Sequence, residues 1–199
     1  VDDVGAAYVL RHGEDAWLEE GCLVPAHAGR GAAIGSTVAI CGDVLVTAGI
    51  EGPAIVYRFD GTDWIEEAQL AFDVPVPTTG LAVSIDGDRI AIGAPTEFGG
   101  AVHLFAYGPR GWEGVGSISP VTTVVEPEFG RAVAIEGSTV LIGGTDQAWV
   151  YDGVDGAWGL RYALRDSELD ASYGAAVALS DGIAVVGAPY GYQFGAAFI

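Results

Sequence analysis

The residues in this chain with the types and placement to do chemistry are aromatic rings set beside carboxylates in predicted loops. They are Glu51, Glu97 and Phe98, Asp146, and the run Tyr190-Gly191-Tyr192-Gln193. An aromatic ring stacks on the C–H face of a sugar while neighbouring acids accept its hydroxyl hydrogens. The same combination suits a basic peptide or a protein surface. Glu51, Glu97, Phe98, Asp146, Tyr190 and Tyr192 are therefore the candidate ligand-binding residues, for a protein or a glycan. The competing reading is that the tyrosines pack on a neighbouring element and the acids are solvated.

Catalysis finds little support. His12, His27 and His103 are far apart in sequence and share no ligand spacing such as His-x-x-x-His. No Gly-x-Ser-x-Gly elbow, P-loop or Cys-x-x-Cys motif is present. Carboxylate pairs abound, but 27 acidic residues make chance pairs inevitable, so they identify no glycosidase. The expectation is a non-enzymatic chain with no cofactor and no metal. Cys22 and Cys41 allow one disulfide without implying it.

The elements that must position these residues emerge when the chain is laid on itself. Ile34-Gly35, Thr79-Gly80, Phe129-Gly130 and Tyr173-Gly174 each open an apolar run, and their glycines lie 45, 50 and 44 residues apart. This run is strand A. A tight turn follows (Cys41-Gly42-Asp43, Asp86-Gly87-Asp88, Glu136-Gly137-Ser138, Ser180-Asp181-Gly182), then a second apolar run, strand B. Asp-Gly and its relatives between apolar runs are strong hairpin signals, because such turns need positive φ. Strand C recurs as Gly5–Leu10, Ala54–Tyr57, Gly100–Phe105, Ala148–Tyr151 and Gly195–Ile199. Strand D pairs a Trp with Leu or Ile six residues on: Trp17 and Leu23, Trp64 and Leu70, Trp112 and Ile118, Trp158 and Leu164. Even spacing predicts that both members share one face of a strand. Strands A and B read as buried on both faces, and D as an outer edge strand.

The predicted fold is all-β, a β-propeller of four-stranded antiparallel blades with about four blades in this chain. Strands C and D of one blade fill 1–24, full blades fill 34–70, 79–118 and 129–164, and strands A, B and C fill 173–199. Because the chain opens within a blade and without Met, it is expected to be a processed or excised piece of something longer. Blade edges left unpaired would favour self-association. The D–A connections near 24–33, 71–78, 119–128 and 165–172 are the long ones, and with the B–C loops they place the candidate residues on one face. Long loops on a rigid scaffold usually carry function. This face would also hold Phe72, Asp73, Glu126, Glu128, Asp166, Glu168 and Asp170.

Phe129-Gly130 and Tyr173-Gly174, with Gly93-Ala94-Pro95 and Gly187-Ala188-Pro189, resemble the FG-GAP repeat of integrin α-subunit propellers and of many bacterial and fungal extracellular proteins. The Trp-Leu-Glu-Glu and Trp-Ile-Glu-Glu openings of strand D are similar to its bacterial branch. The resemblance implies an extracellular or cell-surface recognition module, with a carbohydrate-binding lectin or a structural part of a larger surface assembly as alternatives. Calcium sites of that family use a long acidic loop between A and B; here the turn is two or three residues, too few for six to eight oxygen ligands.

Charge narrows the partners further. The formal net charge is −19, with 27 acidic residues against 8 basic ones. Such a surface repels nucleic acid phosphates and anionic lipid heads, and suits a saline exterior or a cationic partner. No apolar run approaches the length of a membrane-spanning helix. Neither nucleic acid binding nor membrane insertion is expected.

Overall fold

The computed structural model describes residues 4–50, 52–72, 81–96, 99–120, 128–154, 156–165, 172–190 and 195–199. Among them there is strand and turn but no helix. The strands form five consecutive sheets, each built from chain neighbours paired antiparallel. Sheet I holds β1 (Ala7–His12) and β2 (Trp17–Leu23). Sheet II holds β3 (Thr37–Cys41), β4 (Val44–Ala48), β5 (Ala54–Phe59) and β6 (Trp64–Leu70). Sheet III holds β7 (Ala82–Asp86), β8 (Arg89–Thr96), β9 (Gly99–Gly108) and β10 (Gly111–Ile118). Sheet IV holds β11 (Ala132–Glu136), β12 (Thr139–Gly143), β13 (Ala148–Val154) and β14 (Ala157–Leu164). Sheet V holds β15 (Ala176–Ser180), β16 (Ile183–Ala188) and β17 (Ala196–Phe198).

Glycine makes the A–B hairpins possible. Gly42, Gly87 and Gly137 take φ of 60°, 54° and 54° at the first turn position, and in the last hairpin Asp181 and Gly182 are both positive. Glycine also sets how closely sheets approach. A Cβ on Gly93, at the end of the strand-B run, would lie 2.0 Å from the carbonyl oxygen of Gly130 in the next repeat. The closing glycine of one repeat and the opening glycine of the next thus form a backbone-to-backbone contact.

The core lies between sheets. Strand alternation sends Val44 and Val46 of β4 toward sheet III, where they meet Ile90, Ile92 and Phe105, while Leu45 packs with Val9 and Leu23 of sheet I. Burial of such side chains contributes about 1.5–3 kcal/mol each. β4, β8 and β12 are the buried strands. Strand A is less buried than its composition implies. β3 and β15 alternate between half-buried and exposed, and Val38 and Ile40 each keep 57 % of their surface in solvent.

The shared-face expectation for strand D is also corrected. Trp64 packs toward sheet I and Leu70 toward sheet III; Trp112 packs toward sheet II and Ile118 toward sheet IV. The cause is a β-bulge in every C–D hairpin. In the pairing registers Glu20, Glu67, Val115 and Arg161 are skipped, each an extra residue between Trp and Leu or Ile. One inserted residue reverses the alternation beyond it. Sheets II, III and IV therefore each offer their Trp to the sheet before and their Leu or Ile to the sheet after.

Cys22 and Cys41 are free thiols. Cys41 instead accepts a hydrogen bond at Sγ from the backbone N–H of Gly87, 3.3 Å away in the next A–B turn. The same tie recurs with carboxylates: Gly137 N–H donates to Asp86 Oδ2 at 2.6 Å, and Asp181 and Gly182 N–H donate to Glu136.

Candidate functional site

The bulge gathers polar side chains at the junctions between sheets. At the junction of I and II, Arg11 of β1 donates through Nε and Nη2 to the two carboxylate oxygens of Glu20, the bulged residue of β2. Trp64 of sheet II donates its indole N–H to Glu20 Oε2 at 2.9 Å. The Arg11 guanidinium sits 5.1 Å from the centroid of the Phe59 ring. Glu20 is held below the usual carboxylate range, first by the bond from Arg11 and then by that from Trp64. A cleft of about 320 Å³ opens here, lined by Arg11, Trp17, Glu20, Ile40 and Trp64 among others.

The arrangement repeats at the junction of II and III. Arg58 Nε donates to Glu67 at 2.9 Å, Trp112 donates its indole N–H to Glu67 Oε2 at 2.9 Å, and the guanidinium lies 4.8 Å from the Tyr107 centroid. Arg58 also reaches Asp43 in the A–B turn at 3.3 Å. Burial pushes Glu67 up, but the bonds from Arg58 and Trp112 outweigh it and leave the carboxyl below its ordinary value. In both junctions the Arg precedes the Glu by nine residues, and the Trp follows 44 or 45 later.

The third junction keeps only the indole. Ala106 stands in the Arg position, Val115 in the Glu position, and Gly153 where Phe59 and Tyr107 stand. Trp158 Nε1 is buried and has no hydrogen-bond partner among the described residues. Sheet IV restores an ion pair with its polarity reversed: Arg161, the bulged residue, donates to Asp152 at 2.9 Å.

A guanidinium clamped on a carboxylate is a fixed array of donors and acceptors. Its unused lone pairs and N–H groups complement a hydroxyl pair that both donates and accepts. Adjacent aromatic faces complement C–H groups. The chemistry on offer is recognition of a neutral polyol.

No family model matches the chain, and no curated protein does. Solved structures match its fold. The computationally designed Ika4 protein superposes with a TM-score of 0.57 at 16% identity, over 85% of this chain and 92% of that one. A fungal lectin from Aleuria aurantia, described as a six-bladed β-propeller with a novel fucose recognition mode, superposes at 0.56 and 14% identity, over 94% of this chain and 65% of the lectin. The SapL1 lectin, solved with α-methyl fucoside, gives 0.57 and 15%, over 98% of this chain and 68% of that one.

The residues singled out in the sequence fall elsewhere. Asp146 lies between β12 and β13, where its Oδ1 accepts the backbone N–H of Ser172 at 3.3 Å. Tyr190 follows β16 and keeps 74 % of its surface exposed. Glu51, Glu97, Phe98 and Tyr192 lie outside the described residues. Of the other residues on that face, Glu128 pairs with Arg131 at 3.1 Å and accepts from Thr145, and Phe72 stacks on His103 with centroids 4.9 Å apart. Burial pushes the His103 pKa down, which favours the neutral ring. No group of three or more His, Cys, Asp or Glu placed to hold a metal occurs among the described residues. The Arg–Glu–Trp clusters, at the opposite, hairpin end of the sheets, escaped the sequence reading. The signal that marks them is the repeated nine-residue Arg-to-Glu spacing.

Proposed function

We propose that this chain is a non-enzymatic, glycan-binding β-propeller of the FG-GAP type that works outside the cell. Its sugar sites are the Arg11–Glu20–Trp64 and Arg58–Glu67–Trp112 junctions, the first of them beside an open cleft. The observation that carries the reading is the twofold occurrence of one Arg–Glu–Trp constellation, with the same polarity and the same nine-residue Arg-to-Glu spacing, between successive sheets. At the first junction a bidentate ion pair stands beside an open cleft, which core packing does not require and a hydroxyl-rich ligand matches. The likeness in fold to fucose-binding lectins supports the same class of ligand. In this reading the sheets are successive propeller blades, about four of them in this chain.

The test is a glycan array that includes α-fucosides, run on the wild type and on Glu20→Gln/Glu67→Gln. Gln keeps the shape but withdraws the charge that anchors Arg and ligand hydroxyl alike. Saturable binding that falls at least tenfold in the variant supports the reading, and binding unchanged by it refutes the site. A second reading, a protein or cell-surface ligand on the long-loop face, is favoured by the exposed Tyr190 ring. In that case Tyr190→Ala, and not the Glu variant, abolishes binding.

A further inference from the structure

The third junction is a cleft of about 270 Å³ lined by Arg89, Leu104, Phe105, Val115, Ile135 and Trp158 among others. Three substitutions within the repeat account for it. Ala106 and Val115 replace the Arg–Glu pair, and Gly153 replaces the aromatic residue paired with the strand-D Trp. The indole itself has not moved. A Cβ built on Gly21, just after the bulge of β2, would meet Trp64 Cδ1 at 3.8 Å, and one on Gly116, just after the bulge of β10, would meet Trp158 Cδ1 at 4.0 Å. In the first junction that indole bonds a carboxylate; in the third its nitrogen is buried without a partner among the described residues. Leaving such a donor unsatisfied costs free energy, and native structures rarely tolerate it without a reason.

The lining defines what would fit. Among the described residues its lining includes no carboxylate, so there a polyol finds no acceptor side chain for its hydroxyl hydrogens. The polar side chain it offers among the described residues is the Arg89 guanidinium, a donor without acceptors. Asp88 lies 3.9 Å from that guanidinium, and the chain as a whole carries a net charge of −19, so an anionic ligand is disfavoured. The remaining walls are aliphatic and aromatic. The volume lies just below the range typical of drug-sized pockets, which suits a small group on a larger molecule. A neutral carbonyl beside a short alkyl group fits the described lining: its oxygen accepts from Arg89, and its methyl packs against Phe105, Val115 and Ile135.

We infer that the cleft between sheets III and IV is a separate subsite for an acyl group carried on a sugar, chemically distinct from the two Arg–Glu–Trp sites. The inference deepens the glycan reading above and rests on it. Saturation-transfer NMR on the full chain tests it with three probes: glucose, N-acetylglucosamine and 6-O-acetylglucose. The expected result is transfer strongest at the acetyl methyl protons. The acylated probe that binds more tightly identifies amide or ester as the source. Val115→Glu, which supplies the carboxylate missing from the repeat, and Val115→Phe, which fills the space, should each abolish that transfer in folded protein. Glu20→Gln/Glu67→Gln should leave it intact.

Acyl transfer that persists in both Val115 variants overturns the inference. So does its absence from the wild type while neutral sugars bind in a Glu20- and Glu67-dependent way, which would leave the proposed function standing. Val115-dependent acyl binding without any binding at the other sites would support this subsite and remove the Arg–Glu–Trp assignment. No binding of any sugar would overturn both.

Discussion

Trp112→Phe and Trp158→Phe remove the same indole nitrogen from equivalent places in successive sheets, yet their effects on stability should have different signs beyond a shared packing loss. Trimming indole to phenyl costs similar apolar contact at each site, so that part cancels in the comparison. At Trp112 the lost N–H is bonded to a charged carboxylate at 2.9 Å. Such bonds are worth about 1.5–3 kcal/mol, and the Glu67 side chain retains 23 % exposure, which places the loss in the lower half of that range. At Trp158 the lost N–H is buried and unpaired among the described residues, so its removal relieves a penalty of about 1–3 kcal/mol. The two variants should therefore differ by about 3 kcal/mol, or roughly 6–12 °C in Tm for a chain of this length. Paired urea and thermal melts measure this without any ligand. Variants that melt within ~2 °C of each other would refute the claim that Val115 left the third indole orphaned.

Three further outcomes are expected. Gly93→Ala should be severely destabilising, by about 3 kcal/mol or more, because the new methyl would have to push the Gly130 carbonyl away; a soluble variant with an unchanged melt would contradict the close backbone approach. Cys41→Asp should stabilise by about 0.5–1 kcal/mol, since it replaces a weak sulfur acceptor for the Gly87 N–H with the carboxylate used by Asp86 one repeat later; urea midpoints decide it. Glu67, held below its ordinary value, contributes stability that is complete above about pH 4.3 and is lost as pH falls through its depressed value. The gap in urea midpoint between wild type and Glu67→Gln should therefore close on acidification, and a gap that widens would reverse the assignment.

Much of the architecture could be read from the residues. The Gly-containing turns and the paired apolar runs marked the A–B hairpins, because positive φ and alternating burial both leave compositional traces. The repeated Trp marked strand D. What could not be read was the bulge, since Glu20, Glu67, Val115 and Arg161 have no residue type in common. Without the bulge, counting by twos put Trp64 and Leu70 on one face, and the Glu residues looked like solvated edge charges. That miscount also hid the polar clusters, which form only when Trp64 or Trp112 reaches across to another sheet. Attention went instead to Tyr190 and Asp146, where exposed rings and loop acids are visible as composition. Asp146 proves to be fastening a loop. The lower burial of strand A has a related reason: composition reports what a strand tolerates, and Val38 and Ile40 are apolar but keep more than half of their surface exposed.

The reversal introduced by the bulge also decides how specificity is inherited. Because sheet II provides Arg58 and Glu67 to one junction and Trp64 to the junction before it, no repeat in the proposed reading owns a complete recognition unit. Duplicating, deleting or exchanging a single repeat therefore rewrites two neighbouring junctions at once, and moving a boundary by half a repeat would carry a junction intact. Ligand preference in such a chain is grammatical more than lexical, set by which repeats stand next to each other.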